Sequence, residues 1–566
     1  MDNSAYKLKL TDSNNVEIWT VDNIYAAGVE ELAELASSNG SALVGFTQSG
    51  TGAVLRTVQT KLREAISVTD FGAVGDGVTD DTTSIQSALN EASGRTLLFP
   101  SGTYLVSSTL SVKTETTMQG DGGRASVLKI SSGFSASAEL LRNEVQTGTL
   151  NAYYDQNIEI KNLGFDGNNN VDRTGPLMSF GKVLGLFVDN CSFKDNSYFA
   201  IAIGANKNVW VTNSSFVNMG RPRPSVVSAP AIWCDSGAWG TPYDINVVGN
   251  YFKDNQWSAA YFMPTGGLFA DNYCEGNGES TVFSNNNGGN IRYVNNYITG
   301  ATRSNISACG IETGASGIVI SGNIINACGD SGIAMTDVDS AIVCDNIITN
   351  NGQESAYFTQ GSGIAILTTN ATPNMPKNIR IHGNRIADRQ GVKTQFAGIA
   401  IGGTGDAVSD VAIHDNDLKD QGTYTIYIQS GKWGAGSYTK DNIDKDGVSY
   451  ALRMVQFQVA GATGNQSITG VGFRPRAIEI LATLVSGTQS YQSIGTYDGV
   501  NAHANITAVD ASGRSGGIAS GVVIRITDSG GTTLANASLA SFDIDGFTIN
   551  NSVVTARPWC IAKCYP

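Results

Sequence analysis

The residues best suited to chemistry in this sequence are carboxylates set among aromatic side chains. Glu312 lies in the stretch GIETG, Glu279 precedes it in GEST, and Asp337 and Asp339 follow in MTDVDS. Paired carboxylates are the equipment of glycosidic hydrolysis, in which one protonates the leaving oxygen while the other attacks the sugar or activates water. A separation of about 5–5.5 Å suits retention and about 6.5–9.5 Å inversion. Other chemistries find less support. The histidines are His382, His414 and His503, with no Ser-His-Asp order and no HExxH. Asp76, Asp80 and Asp81 imitate a calcium loop, yet the twelfth position counted from Asp76 is Ser87, not a bidentate Glu. The glycines Gly72, Gly75 and Gly77 lack the Lys-Ser/Thr of a phosphate loop. The eight cysteines form no CxxC pair and no zinc spacing, and read as small buried thiols made in a reducing cytosol. No metal and no cofactor is expected.

The carboxylates must be positioned by a repeat. From about residue 157 to 428 an alternating apolar strand, an Asn at a turn and a second short strand recur, as in IEIKNLGF, LFVDNCSF, IRYVNNYI and IRIHGNRI. Asn162, Asn190, Asn213, Asn250, Asn272, Asn296, Asn323, Asn346, Asn384 and Asn416 mark ten copies, 22 to 38 residues apart. A minimum period with tolerated insertions is the mark of a solenoid. The strands are short, β-branched and of period two, with no amphipathic helix between them, so the expectation is an all-β parallel β-helix, its ten coils stacked at about 4.8 Å over roughly 45 Å. An Asn at one corner of every coil can bond its neighbours above and below, which makes the ladder structural.

Alternation also sorts the strand that follows each turn. Ala202, Trp233, Tyr261, Phe283, Glu312, Ala334, Ala365, Ala400 and Tyr427 form an outward column, in which three stacked aromatics, a carboxylate and three alanines run in succession from Trp233 to Ala400. Aromatic faces stack on sugar rings and small residues leave room for a chain, so the column reads as a saccharide groove. Glu312, between Phe283 and Ala334, is expected to be partly desolvated, with its pKa raised toward that of a general acid. Asp337, one coil on, is the expected base, and Glu279 is its rival. Trp233, Asp235, Trp239, Tyr261, Phe283 and Asp339 are expected to bind substrate.

A net charge of −14 argues against nucleic acid as a partner. No apolar run reaches membrane-spanning length, so no membrane insertion is expected. The N-terminus MDNSAYKLKL lacks the basic and apolar regions of a standard signal, so delivery outside a cell would need another route.

The stretch SVTDFGAVGDGVTDDTTSIQSALNEASG, residues 67–94, places Ile85, Ala88 and Leu89 on one face of a short helix, near 82–92, preceded by Asp and Thr as N-caps. Such a helix closes the open end of a solenoid. RTLLFP, GTYLVSSTLSV and TTMQGDG then read as the first coils. The motif VTDFGAVGDGVTDDTTSIQSALN, with LLFPSGTYLVSSTL and MQGDG, resembles the opening of the pectate-lyase-like superfamily of right-handed β-helices. The preceding GSALVGFTQSGTGAVLRTVQTKLREAISV resembles the neck that joins head to body in bacteriophage tailspikes, the polysaccharide depolymerases. The resemblance implies a homotrimer in the phage tail, synthesised in the host cytoplasm and held to a tail or baseplate protein through its N-terminus. It also implies a body that binds and cleaves a bacterial surface polysaccharide, O-antigen or capsule. Hydrolysis by two carboxylates is the first expectation, a lyase acting by β-elimination on a uronate the second, and a non-catalytic adhesin the third. In such trimers the site can also lie between subunits.

The expected domains are residues 1–66, a virion anchor and neck; 67–450, the β-helix; and 451–566, a C-terminal β-sandwich for trimerisation or carbohydrate binding. The last is read from MVQFQV, AIEILATLV, VVIRITD, SFDIDGFTIN and WCIAKC, strands without the Asn ladder. In the first, Val29, Leu32, Ala33 and Leu35 could line a helical face.

Overall fold

The structure is a computed structural model that describes residues 6–24, 33–144, 155–170, 172–220, 229–235, 240–301, 308–353, 361–369, 375–429, 431–443, 453–471, 474–486, 489–497, 500–510, 513–528, 531–543 and 546–565. Its body is a three-faced parallel β-helix. Each coil runs a strand on face 1 (Val183–Asp189, for example), turns a corner to face 2 (Ser192–Lys194) and passes to face 3 (Ile201–Ile203) before climbing to the next coil. Among the described residues face 1 holds 14 strands, from Ala65–Ser67 to Tyr438–Lys440, and faces 2 and 3 hold 12 each. The stack therefore exceeds the ten Asn-marked copies and reaches about 60 Å at about 4.8 Å per coil. Its added coils lie mainly before residue 157, where corners carry no Asn.

Every second residue points into one continuous core. Ile160, Val188, Val211, Val247, Phe269, Tyr293, Ile320, Val343, Ile381 and Ile413 fill one inward column of face 1, all fully buried. Phe165, Phe193, Phe216 and Phe252 stack behind face 2 with centroids 4.7–5.1 Å apart.

The corner between faces 1 and 2 corrects the reading of the asparagines. Two adjacent columns share it. The outer position is left-handed in backbone and carries Asn162, Asn190, Asn213, Gly249, Asp271, Asn295, Gly322, Asp345, Gly383 and Asp415, with φ from 50° to 69°. These are residue types that tolerate this conformation. The next position is the buried ladder. There Asn250, Asn272, Asn296, Asn323, Asn346, Asn384 and Asn416 each accept, through the side-chain oxygen, the backbone N–H of the residue one coil below. Asn442 extends it by one coil. Asn162, Asn190 and Asn213 thus belong to the outer column, and Leu163, Cys191 and Ser214 occupy their ladder positions.

The closing helix forms over Thr82–Glu91 and buries Thr82, Ile85, Ala88 and Leu89. Asp81 occupies the N-cap position but makes no capping bond; its buried carboxylate instead accepts from the backbone N–H groups of Val74 and Gly75. Asp80 accepts from the Thr82 N–H and the Ser107 hydroxyl, and Asp76 from the N–H groups of Val78 and Thr79. These carboxylates hold turns. Of the cysteines, all but Cys344 are buried, and burial pushes the Cys191 thiol up to about 12.

After residue 453 a six-stranded and a four-stranded antiparallel sheet enclose a second core that includes Ile480, Ile526, Phe547 and Ile549, a β-sandwich. Gln489–Tyr497, Ala502–Asp510 and Gly513–Ser520 are strands that the sequence reading did not name. At the N-terminus Tyr6–Thr11 pairs antiparallel with Glu17–Ile24. Val29 and Leu32, proposed for a helical face, lie outside the described residues. Among those residues no helix is long and apolar enough to cross a membrane.

Candidate active site

The outward column of face 3 forms in the register read from the sequence. Ala202 pairs with Trp233, Trp233 with Tyr261, Tyr261 with Phe283, Phe283 with Glu312, Glu312 with Ala334, Ala334 with Ala365, Ala365 with Ala400, and Ala400 with Tyr427. Trp233, Tyr261, Phe283 and Glu312 are half-buried between fully buried neighbours on their own strands. The period-two pattern produces this directly: Ile311 and Thr313 go inward, so Glu312 goes outward.

The groove is shorter than the column. Ala334, Ala365 and Ala400 are 2%, 0% and 7% exposed, so they do not form an open floor. At the other end Ala202 is buried in a small cluster with Phe199 and Ala229, against which Tyr198, Trp233 and Trp257 pack. Phe199 stacks on Trp233 at 5.0 Å and 16°. What remains open is the four-coil run Trp233–Tyr261–Phe283–Glu312, about 14 Å long at about 4.8 Å per coil. Its rings are tilted, Trp233 on Tyr261 by 36° and Tyr261 on Phe283 by 48°. Tilted rings leave part of each face available to a flat ligand.

Glu312 is directed toward the coil below. The Ser280 hydroxyl accepts from the buried Cys309 N–H at 3.2 Å and donates to a Glu312 carboxylate oxygen at 2.5 Å. Glu279, the residue before Ser280, accepts from the Tyr261 hydroxyl at 2.9 Å. Glu279 and Glu312 thus lie on adjacent coils, Glu312 bonded to Ser280 next to Glu279, and Glu279 bonded to Tyr261 one coil farther from Glu312.

Asp337 lies elsewhere. It sits in a left-handed turn residue (φ 53°) three positions past Ala334, about 10 Å along the strand direction. Its carboxylate accepts from the Thr369 N–H at 2.9 Å and from the Thr369 hydroxyl, one coil farther from Glu312. Asp339, at the start of a face 1 strand, accepts from Asn378 and Ser340 and pairs with Lys377 at 3.3 Å. Partial burial raises its pKa, and these donors more than offset that, leaving it below the ordinary carboxylate value. Asp235 follows the strand Ile232–Cys234, three coils or about 14 Å from Glu312, on the Trp233 side. Trp239 lies outside the described residues. The structure therefore sets Glu312, Glu279, Tyr261, Phe283 and Trp233 along one face, Asp337 in a turn and Asp339 at the start of a face 1 strand.

One carboxylate went unread in the sequence. Asp330, 6% exposed, precedes Ser331 on the coil above Glu312 as Glu279 precedes Ser280 on the coil below. The signal was present as GES in one coil and GDS two coils later.

Two family models match the chain: "Rhamnogalacturonase A/epimerase, pectate lyase-like" over residues 65–175, and "Right handed beta helix region" over 230–379. The tail spike protein of Shigella phage Sf6 is 34% identical over 154 residues, 25% of this chain and 23% of that protein. A capsule K30/K69-specific depolymerase of Klebsiella phage K64-1 is 36% identical over 95 residues, 16% of this chain and 11% of that protein. The matches thus span less than a quarter of either relative. A mutant tailspike protein of E. coli bacteriophage HK620 shares the fold with a TM-score of 0.52 at 12% identity, covering 94% of this chain and 99% of that one. The fold is thus a right-handed parallel β-helix, and stretches of the sequence are similar to pectate-lyase-like and right-handed β-helix models and to part of a phage tail spike protein.

Proposed function

We propose that this protein is a tail component of a phage virion that binds a bacterial surface polysaccharide, O-antigen or capsule, along face 3 and hydrolyses it with two carboxylates. The observation that carries the reading is the in-register run Trp233–Tyr261–Phe283–Glu312, which aligns partly open rings with a half-buried carboxylate. Similarity to a phage tail spike and to a capsule depolymerase supports the substrate class. Glu312 is the general acid. Glu279 is the second carboxylate, since it adjoins Ser280, the residue on the neighbouring coil that bonds Glu312, whereas the Asp337 carboxylate is turned to Thr369 on the coil beyond. Trp233 and Phe283 stack on sugar rings, and Asp235 binds a hydroxyl at the far end of the run.

The test is a screen of the purified protein against bacterial capsules and O-antigens, scored by reducing-end release and by size of the products. Hydrolysis predicts new reducing ends that Glu312→Gln abolishes while binding persists. Products with the ultraviolet absorbance of an unsaturated uronate would overturn hydrolysis in favour of elimination. Binding without cleavage of any glycan would leave an adhesin.

A further inference from the structure

A second hollow lies on face 2, away from the groove. The outward column of that face runs Val127, Gly164, Ser192, Ser215, Tyr251, Tyr273, Tyr297. Three small residues in succession leave a depression about 10 Å long between Ser192 and Tyr251, at about 4.8 Å per coil. The cleft there encloses about 480 Å³, a volume within the range of small-molecule sites.

Its two ends are built differently. At one end Tyr251 terminates a stack, with Tyr251 on Tyr273 at 5.5 Å and Tyr273 on Tyr297 at 4.9 Å and 9°. Rings inside such a ladder have both faces covered. Tyr251 has only Ser215 below it, so its lower face looks into the hollow. At the other end the turn of residues 121–125 lies across the sheet. A Cβ at Gly164 would fall 2.3 Å from the Gly123 carbonyl oxygen, and one at Gly123 would fall 3.1 Å from the Ser192 Cβ and N. A side chain at Gly164 would collide with the turn's backbone and one at Gly123 would crowd Ser192, so the glycines let the turn lie this close. The turn is fixed from beneath, since Ser126 donates to the Phe99 carbonyl and the Asp121 carboxylate accepts from Ser101.

That turn carries Arg124 over the cleft, where it makes no hydrogen bond or ion pair with any described residue. The other charges of the wall have partners: Lys194 lies 3.1 Å from Asp166 and 4.0 Å from Asp195, whose carboxylate also accepts from the Asn218 amide at 2.6 Å. The hollow thus offers an uncompensated guanidinium, a floor of two serine hydroxyls and one open aromatic face. Guanidinium selects an oxyanion, hydroxyls suit polyols and a ring face suits a pyranose.

We propose that this cleft is a second saccharide-binding site, which takes an acidic sugar unit with its carboxylate on Arg124, its ring on Tyr251 and its hydroxyls on Ser192 and Ser215. It uses no residue of face 3, and it stands or falls independently of the cleavage proposed there.

The test is calorimetric titration of the full chain in a Glu312→Gln background, which removes turnover, with oligogalacturonate and oligosialate as acidic probes, a neutral galacto-oligosaccharide and inorganic phosphate. At least one acidic probe should bind more tightly than the neutral one, and Arg124→Ala should weaken it by about tenfold or more, the effect of losing a charge-assisted hydrogen bond. Arg124 is exposed and bonds no described residue, so this variant should keep the wild-type melting temperature. Tyr251→Ala should weaken the same probe. Absence of binding by both acidic probes, equal binding of acidic and neutral oligomers, or an Arg124→Ala variant that binds as before would overturn the proposal. Phosphate displacing the acidic oligomer at comparable concentration would overturn the saccharide assignment in favour of a simple anion site. Loss of cleavage by Glu312→Gln with this binding unchanged separates the two sites.

Discussion

Ser280 and Glu312, 32 residues apart in sequence, meet across one coil boundary, and the Ser280 hydroxyl is oriented toward the carboxylate because it accepts from Cys309 on its other side. The contact fixes which way the proposed general acid points. Ser280→Ala should lower kcat by about tenfold with little change in KM, the cost of one hydrogen bond to a charged group. Glu312→Gln should lower it by about 10²–10⁴-fold, the usual contribution of general acid catalysis. Initial rates on the cleaved glycan read both. Equal rates for Ser280→Ala and wild type would deny the serine a positioning role.

Glu279 and Asp337 make opposite predictions. Glu279→Gln should reduce kcat by about 10²–10⁴-fold, as expected for the second carboxylate. Asp337→Ala should instead lower thermal stability, by about 1 kcal/mol for the loss of its bonds from Thr369, and leave kcat within about threefold. Measuring rate and melting temperature on both variants decides between them; a reversed pattern would return the role to Asp337.

The ladder should respond to single deletions. Asn296 accepts from the Asn272 N–H and donates to the Phe269 carbonyl and to Asn323. Asn296→Ala leaves the buried Asn272 N–H unpaired, at about 1–3 kcal/mol, and removes the amide bonds to Phe269 and Asn323, the latter keeping its bond from the backbone N–H of residue 296. Faster unfolding in guanidinium chloride is the expected outcome, since kinetic stability is the practical measure for a chain of this size.

Acid should loosen the closing turn. Bonds from the Ser107 hydroxyl and from Thr82 hold the Asp80 carboxyl below its ordinary value of 3.8. The stabilisation is complete above that value and is lost as pH falls through the lower folded-state value. Asp80→Asn should therefore melt earlier than wild type near neutrality, and the two curves should converge in acid. A constant gap at all pH values would contradict this.

The sequence by itself determined the solenoid and the groove's order. In a parallel stack each outward residue sits above its counterpart in the previous coil, so period-two alternation and the Asn-marked corners were enough to place Trp233, Tyr261, Phe283 and Glu312 in one column. His382 over His414, stacked at 5.2 Å and 8°, follows from the same rule. The ladder was read one residue off in its early coils because Asn serves two adjacent needs there, a left-handed backbone at Asn213 and a buried carbonyl acceptor at Asn250. Only the tertiary structure decided what is not periodic. Rotamers chosen by contacts between coils send Glu312 to Ser280 and Asp337 to Thr369, burial closes the alanine floor, and a glycine turn that crosses Gly164 to reach Ser192 carries Arg124 over a cleft that no spacing in the sequence foretells.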